Sequence, residues 1–391
     1  SSSWSSYGRR LLTALCVLGV ALSVAFPASA ANIPVLRASS TDPNVDTIKV
    51  ASLLVIDVTS GKTLFKLNPD KQWSAASLTK LMTSHVFSSG RRNWTAKGNI
   101  VKSDEVGGGR LGVPSGSTMT YRDLLYSAVI GSANNAANAM ARQSGYGSKG
   151  FIKEMNRRAG LLGMTNTTYV DASGMNPKNV STAYDVALAL DAAGANDEIH
   201  TAMVSPTYRF TVRTPKAVVK TVKNTNRLLF VEPDVLVTAG KTGYLEESMY
   251  NYTVKVRPKS GDGGELAIVV FGAAAREDSV VTATVLAKWA WDSFVWSGTS
   301  TAPVRFVRNL SPGLRGADVK ALQKYLNANG SVIAASGPGS PGHETDKYGP
   351  LTQAAVKKFQ DAHKADILEP QGRELGSGVV DFQTRAYLNA H

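Results

Sequence analysis

Ala76-Ser77-Leu78-Thr79-Lys80-Leu81-Met82-Thr83 is the stretch on which the reading of this 391-residue chain turns. It places a hydroxyl and an amine three residues apart at a predicted helix start, and side chains so spaced share one helical face. A serine hydroxyl is a poor nucleophile until a base takes its proton. A lysine within hydrogen-bond reach is such a base once desolvation or a neighbouring positive charge has discharged its ammonium. The helix N-terminus adds backbone N–H groups that favour developing negative charge. Leu78, Leu81 and Met82 recur at helical spacing and predict an ordinary buried stripe.

Two further short motifs follow in order: Ser132-Ala133-Asn134 and Lys241-Thr242-Gly243. Upstream of the first helix, residues 50–58 are apolar and β-branched, Thr59-Ser60-Gly61-Lys62 is a turn, and residues 63–67 alternate, which predicts a hairpin. Glycines and Pro114 make residues 103–118 irregular. Thr120-Tyr121-Arg122-Asp123 has the form of a capping box and opens a helix reaching about Ile130. Gly131 ends it, leaving Ser132 and Asn134 in the connection to a helix over 135–143. Helices are predicted again over 151–159 and from Ser181 to Ala193.

From Tyr208 the pattern changes to strands, over 209–214, 218–223, 235–243, 250–257 and 265–273, with Lys241 to Gly243 at the end of the third. A last helix over 278–296 would set Val281, Val285, Trp289 and Phe294 against the sheet. Helices lying between an N-terminal hairpin and C-terminal strands predict an α+β fold: one antiparallel sheet completed by both ends, flanked by helices, with an inserted helical subdomain. Beyond the Ser/Thr/Gly linker at 297–307, residues 308–391 read as a small all-α domain with Val319, Leu322, Leu326, Val356 and Phe359 in its core.

Arg9 and Arg10, an apolar run over 11–26 and Pro27-Ala28-Ser29-Ala30 predict a signal peptide over residues 1–30, cut after Ala30, with a polar linker at 31–47. The run is short for a membrane span and lacks a positive stop, so no membrane anchor is expected after cleavage. Cys16, the one cysteine, lies inside that run. The mature chain would hold no thiol, which excludes disulfides and cysteine catalysis. The five histidines lack ligand spacing, so neither a metal nor another cofactor is expected. A net charge of +13 suits anionic membranes, nucleic acid or acidic wall polymers. No basic run with interleaved aromatics appears, and nucleic acid is set aside.

With all three motifs quoted, residues 52–294 resemble the serine D-Ala-D-Ala carboxypeptidases, the low-molecular-mass penicillin-binding proteins, whose S-x-x-K, S-x-N and K-T-G triplet they carry in order. Asp123-Leu124-Leu125-Tyr126, and residues 171–176 followed by Ser181-Thr182-Ala183-Tyr184-Asp185, also look like family segments. The resemblance implies a penicillin-binding or β-lactamase-like fold around residues 48–296. It implies Ser77 as the acylated nucleophile, Lys80 as its base and Ser132 as a proton relay between Lys80, Lys241 and the leaving group. Asn134 would hold the substrate amide, Lys241 and Thr242 the terminal carboxylate, and Gly243 would let the substrate backbone approach. The backbone N–H groups of Ser77 and Tyr244 would form the oxyanion hole.

The tail resembles the peptidoglycan-binding domain of many wall hydrolases. The implied protein is a secreted peptidase of the cell wall or periplasm, acting on D-Ala-D-Ala stem peptides and inhibited by β-lactams. The small domain would tether it to polymeric substrate, so that its loss would leave hydrolysis of a small soluble peptide nearly unchanged. Departures from the family pattern are Asn135 in place of a frequent aspartate, Met249 in place of a glycine after the third motif, and Asp346 and Asp381 in place of glycines in the tail. A class A β-lactamase needs a deacylating glutamate after the second motif, and residues 161–180 contain none. Carboxypeptidase and crosslink-cutting endopeptidase remain open, because both use one acyl-enzyme; a non-catalytic wall-binding protein is the remaining alternative.

Overall fold

Ser52–Asp57 is buried at all six positions because both faces of its sheet are covered. Successive side chains point to opposite faces. Leu54 and Ile56 therefore enter one hydrophobic cluster with Val269 and Phe271. Leu53 and Val55 enter another with Ile268 and Val270. In the computed structural model, which describes residues 33–43, 49–90, 92–261, 263–298 and 306–391, this strand lies within a five-stranded sheet. The order is Val235–Leu245, Met249–Pro258, Leu266–Ala273, Ser52–Asp57, Thr63–Leu67, with every neighbour antiparallel. The N-terminal hairpin thus completes a sheet begun by C-terminal strands. Residues 1–30, with the predicted signal peptide and Cys16, lie outside the described residues.

Thr79–Phe87 is buried at eight of its nine positions, the burial of a helix enclosed on all sides rather than laid on a surface. Alanine-rich helices make room for it: Ala136, Ala137 and Ala139 of Asn134–Gln143, and Ala183, Ala187 and Ala189 of Ala183–Gly194, lie in the same cluster. Thr120 and Asp123 form the predicted capping box, each accepting the other's backbone N–H, at 3.1 and 2.8 Å. That cap fixes where Tyr121–Val129 starts, and so where its end delivers Ser132.

Several sequence expectations are corrected. Ile33–Leu36, expected in a linker, is a strand paired with Phe294–Gly298. The last helix therefore stops at Ser293 rather than Trp296. Pro34 and the polar surroundings conceal a strand whose partner is supplied from the far end of the domain. That helix, Arg276–Ser293, presents Val280, Ala283, Leu286 and Ala287 to the sheet, leaving Val281 and Val285 exposed at 59% and 47%. Small residues permit the closer approach. Thr207–Thr214 and Lys216–Lys223 form a long hairpin in a separate four-stranded sheet with Lys97–Asn99 and Thr118–Thr120.

The described residues, from Ile33 to His391, belong to one compact unit. In the C-terminal part, Ala317–Ala328, Pro350–Ala362 and Phe382–Ala390 enclose Val319, Leu322, Leu326, Val356 and Phe359 as predicted; Phe306, expected in the linker, also belongs to this core. Residues 299–305 of that linker lie outside the described residues. Phe382 packs into the cluster around the Thr79–Phe87 helix, and wholly buried Arg385 donates to the Thr59 carbonyl at 3.2 Å. Gly61, at φ +81, lies so close to this docked helix that a Cβ would stand 2.2 Å from the Phe382 carbonyl oxygen.

Candidate active site

Ser77 sits in a single 3-10 turn, Ala76–Leu78, that leads into Thr79–Phe87. Ala76 takes φ 47, a left-handed conformation that alanine adopts only under constraint. Two glycines supply that constraint. A Cβ on Gly174 would stand 1.9 Å from the Ala76 carbonyl oxygen, and one on Gly243 would stand 3.2 Å from the Ser77 nitrogen. The turn is clamped between the third-motif strand and the segment after residue 170, which fixes the serine's direction. Gly174→Ala, at φ +82 and with no room for a methyl group, is expected to destabilise the chain by about 2 kcal/mol or more. It should also slow covalent capture of a β-lactam in the molecules that remain folded; equilibrium unfolding and stopped acylation assays measure the two effects.

Lys80 is wholly buried. Its Nζ lies 2.8 Å from Ser77 Oγ and donates to two oxygens that can only accept, Asn134 Oδ1 at 2.7 Å and the Ser173 carbonyl at 2.5 Å; a neutral amine, with two N–H groups, thus keeps its lone pair for the Ser77 hydroxyl. Burial holds its ammonium well below the ordinary lysine range, Lys241 lowers it further, and Asp171 partly opposes both. The site thus favours the neutral amine, the form able to accept a proton.

The second motif lies between Tyr121–Val129 and Asn134–Gln143, with Ser132 at φ 55. Its serine meets the third motif rather than the first: Lys241 Nζ donates to Ser132 Oγ at 2.9 Å and to the Thr242 carbonyl at 2.9 Å. Lys241 is 2% exposed, and burial, reinforced by Arg276, pushes it down to about 7. Asn134 accepts from Lys80 and donates to the Gly107 carbonyl at 2.9 Å. Its amide is therefore engaged within the protein, where the resemblance implied a substrate contact.

Ser77, Ser132, Asn134, Thr242, Gly243 and Tyr244 line one groove of about 510 Å³, with Lys241 buried beneath it. Tyr244, about half exposed, packs on Tyr250 with ring centres 4.4 Å apart. The departures have local reasons. Asn135 is buried and ties the glycine-rich loop to the second motif through the Leu111 N–H at 2.9 Å and the Leu111 carbonyl at 2.9 Å. Met249 takes φ 54, the conformation that suits the usual glycine.

Residues that the motifs do not reveal complete the site. Thr225 accepts from Thr242 Oγ1 at 2.7 Å. Arg276, at the start of the last helix of the sheet domain, lines the groove with no carboxylate paired to it among the described residues. Asp171 receives the N–H groups of Ser173, Gly174 and Asn176 at 2.7, 2.5 and 2.6 Å, which aims the Ser173 carbonyl at Lys80. Residues 171–176 carry a sequence signal, an aspartate before Ser-Gly. Arg276 carries none, because only the tertiary fold brings it to the groove.

Comparison with known proteins agrees with this geometry. A family model described as D-alanyl-D-alanine carboxypeptidase matches residues 38–275, and one for a peptidoglycan binding domain matches residues 315–366. The chain is 34% identical over 204 residues to a D-alanyl-D-alanine endopeptidase of Haemophilus influenzae, a match covering 51% of this chain and 68% of that protein. It is 30% identical over 284 residues to a D-alanyl-D-alanine endopeptidase of Pseudomonas aeruginosa, covering 72% and 88%. The crystal structure of the Streptomyces K15 DD-transpeptidase superposes with a TM-score of 0.58 at 28% identity, covering 63% of this chain and 98% of that one. Buried lysine, clamped serine and matched family together place the chain in the D-alanyl-D-alanine carboxypeptidase family of serine peptidases, with a peptidoglycan-binding domain at its C-terminal end.

Proposed function

We propose that this chain trims peptidoglycan stem peptides by hydrolysing the terminal D-Ala-D-Ala bond through an ester on Ser77. The observation that carries the reading is the buried Lys80, bonded to Ser77 Oγ at 2.8 Å with its ammonium held well below the ordinary lysine range. Lys80 takes the Ser77 proton as Oγ attacks the penultimate carbonyl, and the backbone N–H groups of Ser77 and Tyr244 hold the oxyanion. Ser132 passes its proton to the departing D-alanine amine as the peptide C–N bond breaks and is reprotonated by the Lys241 ammonium bonded to it at 2.9 Å, leaving Lys80 charged and Lys241 neutral. Water then attacks the ester, giving a proton through Ser132 back to Lys241, while Lys80 returns its proton to Ser77 Oγ as the ester C–O bond breaks; the shortened peptide leaves and the serine is restored. Lys241, Thr242 and Arg276 supply the positive charge and hydroxyl that suit a terminal carboxylate, with Arg276 beyond the reach of sequence reasoning. β-Lactams would form the same ester and block the site.

A D,D-endopeptidase is the second reading, favoured by the endopeptidase names of the two relatives above. The two differ only in the leaving group. Digestion of defined monomeric and crosslinked muropeptides, with product masses read out, decides. Loss of one alanine from monomers supports the carboxypeptidase, conversion of dimers to monomers the endopeptidase, and neither product overturns both.

We further place the mature protein at the wall, exported by residues 1–30 and held by the C-terminal domain. Among the described residues no helix is long and apolar enough to cross a membrane. N-terminal sequencing of the exported protein should begin at Ala31.

A further inference from the structure

Arg373 of the C-terminal domain is 4% exposed, yet its partners come from both parts of the molecule. It donates to Asp381 Oδ2 at 2.6 Å within its own domain. Across the interface it reaches Asp185 Oδ1 at 3.2 Å and the Gly163 carbonyl at 2.6 Å. Asp381 is one of the departures from the tail pattern; besides pairing with Arg373 it caps the last helix through the Thr384 N–H at 2.8 Å. A buried guanidinium with two buried carboxylates is costly unless every member is satisfied. Here the set spans the seam between the domains.

The far side of the seam leads to the site. Asp185 also accepts the Asn166 N–H at 2.9 Å and Thr167 Oγ1 at 2.7 Å. Thr168 and Val180 exchange backbone bonds at 2.9 and 3.0 Å, closing residues 168–180 into a loop. Inside that loop Asn179 donates to Thr79 Oγ1 at 3.1 Å. Asp171 orients Ser173, whose carbonyl holds Lys80, and Gly174 presses on Ala76. The segment that cradles the base and clamps the nucleophile's turn is therefore pinned at its root by a residue of the C-terminal domain.

We propose that Arg373 is a positioning residue of the peptidase: docking of the C-terminal domain, through the Asp185–Arg373–Asp381 clamp, orders the 163–182 segment that holds Lys80. The inference rests on the role given to Lys80 above. It replaces the picture of a tether indifferent to chemistry, and it makes turnover of even a small soluble substrate depend on the docked domain.

The test uses the full chain. Arg373→Met leaves two buried carboxylates unpaired and is expected to lower stability, so Arg373→Lys, which keeps the charge but cannot span three partners, is made beside it. Rates on a soluble D-Ala-D-Ala peptide are normalised to sites titrated with a β-lactam, which removes any unfolded fraction. In Arg373→Met kcat is expected to fall about tenfold with KM moved less than about twofold, and Arg373→Lys should fall between it and wild type. The acid limb of the rate profile should also move to higher pH, since a loosened cradle admits water to Lys80, which Lys241 and Asp171 face; lost folding alone would not shift it. Wild-type kcat and acid limb in whichever variant stays folded overturn the inference. If the unaltered chain forms no β-lactam adduct, the failure belongs to the reading of the site and not to the clamp.

Discussion

Ser77→Ala is expected to lose both the covalent β-lactam adduct and turnover of D-Ala-D-Ala peptides, by about 10⁴-fold or more. The size follows from what the side chain alone supplies. The groove, the backbone N–H groups and Lys80 all survive the change, but no other side chain bonded to Lys80 is a hydroxyl. Ser132, the other groove serine of the motifs, is bonded to Lys241 instead, so it is not positioned to substitute. Folding should be nearly untouched, because Ser77 is only partly buried and alanine suits the turn. Intact-mass spectrometry should find one adduct on the wild type, mapped to Ser77, and none on the variant. An undiminished adduct in Ser77→Ala, or its absence from the wild type, would sink the assignment.

The three motifs were readable because each depends on local chemistry: a helix start, a turn after a capped helix, a strand end. Their mutual placement was only partly readable. Order in the chain shows that Ser77, Ser132 and Lys241 belong together, but not that Lys241 meets Ser132 while Lys80 takes Asn134 and Ser173. Those pairings follow from which helix end faces which strand, a tertiary property. Ile33–Leu36 illustrates the same limit in the fold, because a four-residue strand containing proline is intelligible only once its partner at Phe294–Gly298 is known. The face of Arg276–Ser293 was misassigned only in part: Trp289 packs on the sheet as expected, but Val281 and Val285 are exposed while Val280, Ala283, Leu286 and Ala287 face it. The buried clamp at Arg373 could not be read at all, since an arginine in a polar tail is ordinarily a solvated one.

The pH dependence should separate the two lysines. Lys80 must be neutral to accept the Ser77 proton, and its low pKa means that activity rises as pH climbs through it. Lys241 has the opposite requirement, because a charged ammonium attracts the substrate carboxylate, and in the free enzyme it loses that charge at about 7. The kcat/KM profile should therefore be bell-shaped, rising as Lys80 loses its proton and falling as Lys241 loses its own, the two titrating as a coupled pair. Bound carboxylate favours the charged form of Lys241, so the alkaline limb of kcat should lie at higher pH than that of kcat/KM. Lys80→Ala should slow acylation about 10²- to 10⁴-fold, the range of a lost general base, and abolish the acid limb. Lys241→Arg, which retains its charge at every accessible pH, should instead remove the alkaline limb while leaving the acid limb in place. Acylation by Lys80→Ala at the wild-type rate would show that another group takes the proton from Ser77. An alkaline limb unchanged in Lys241→Arg would show that a titrating group other than Lys241 produces it, since neither the new guanidinium nor Arg276 loses its charge in that range.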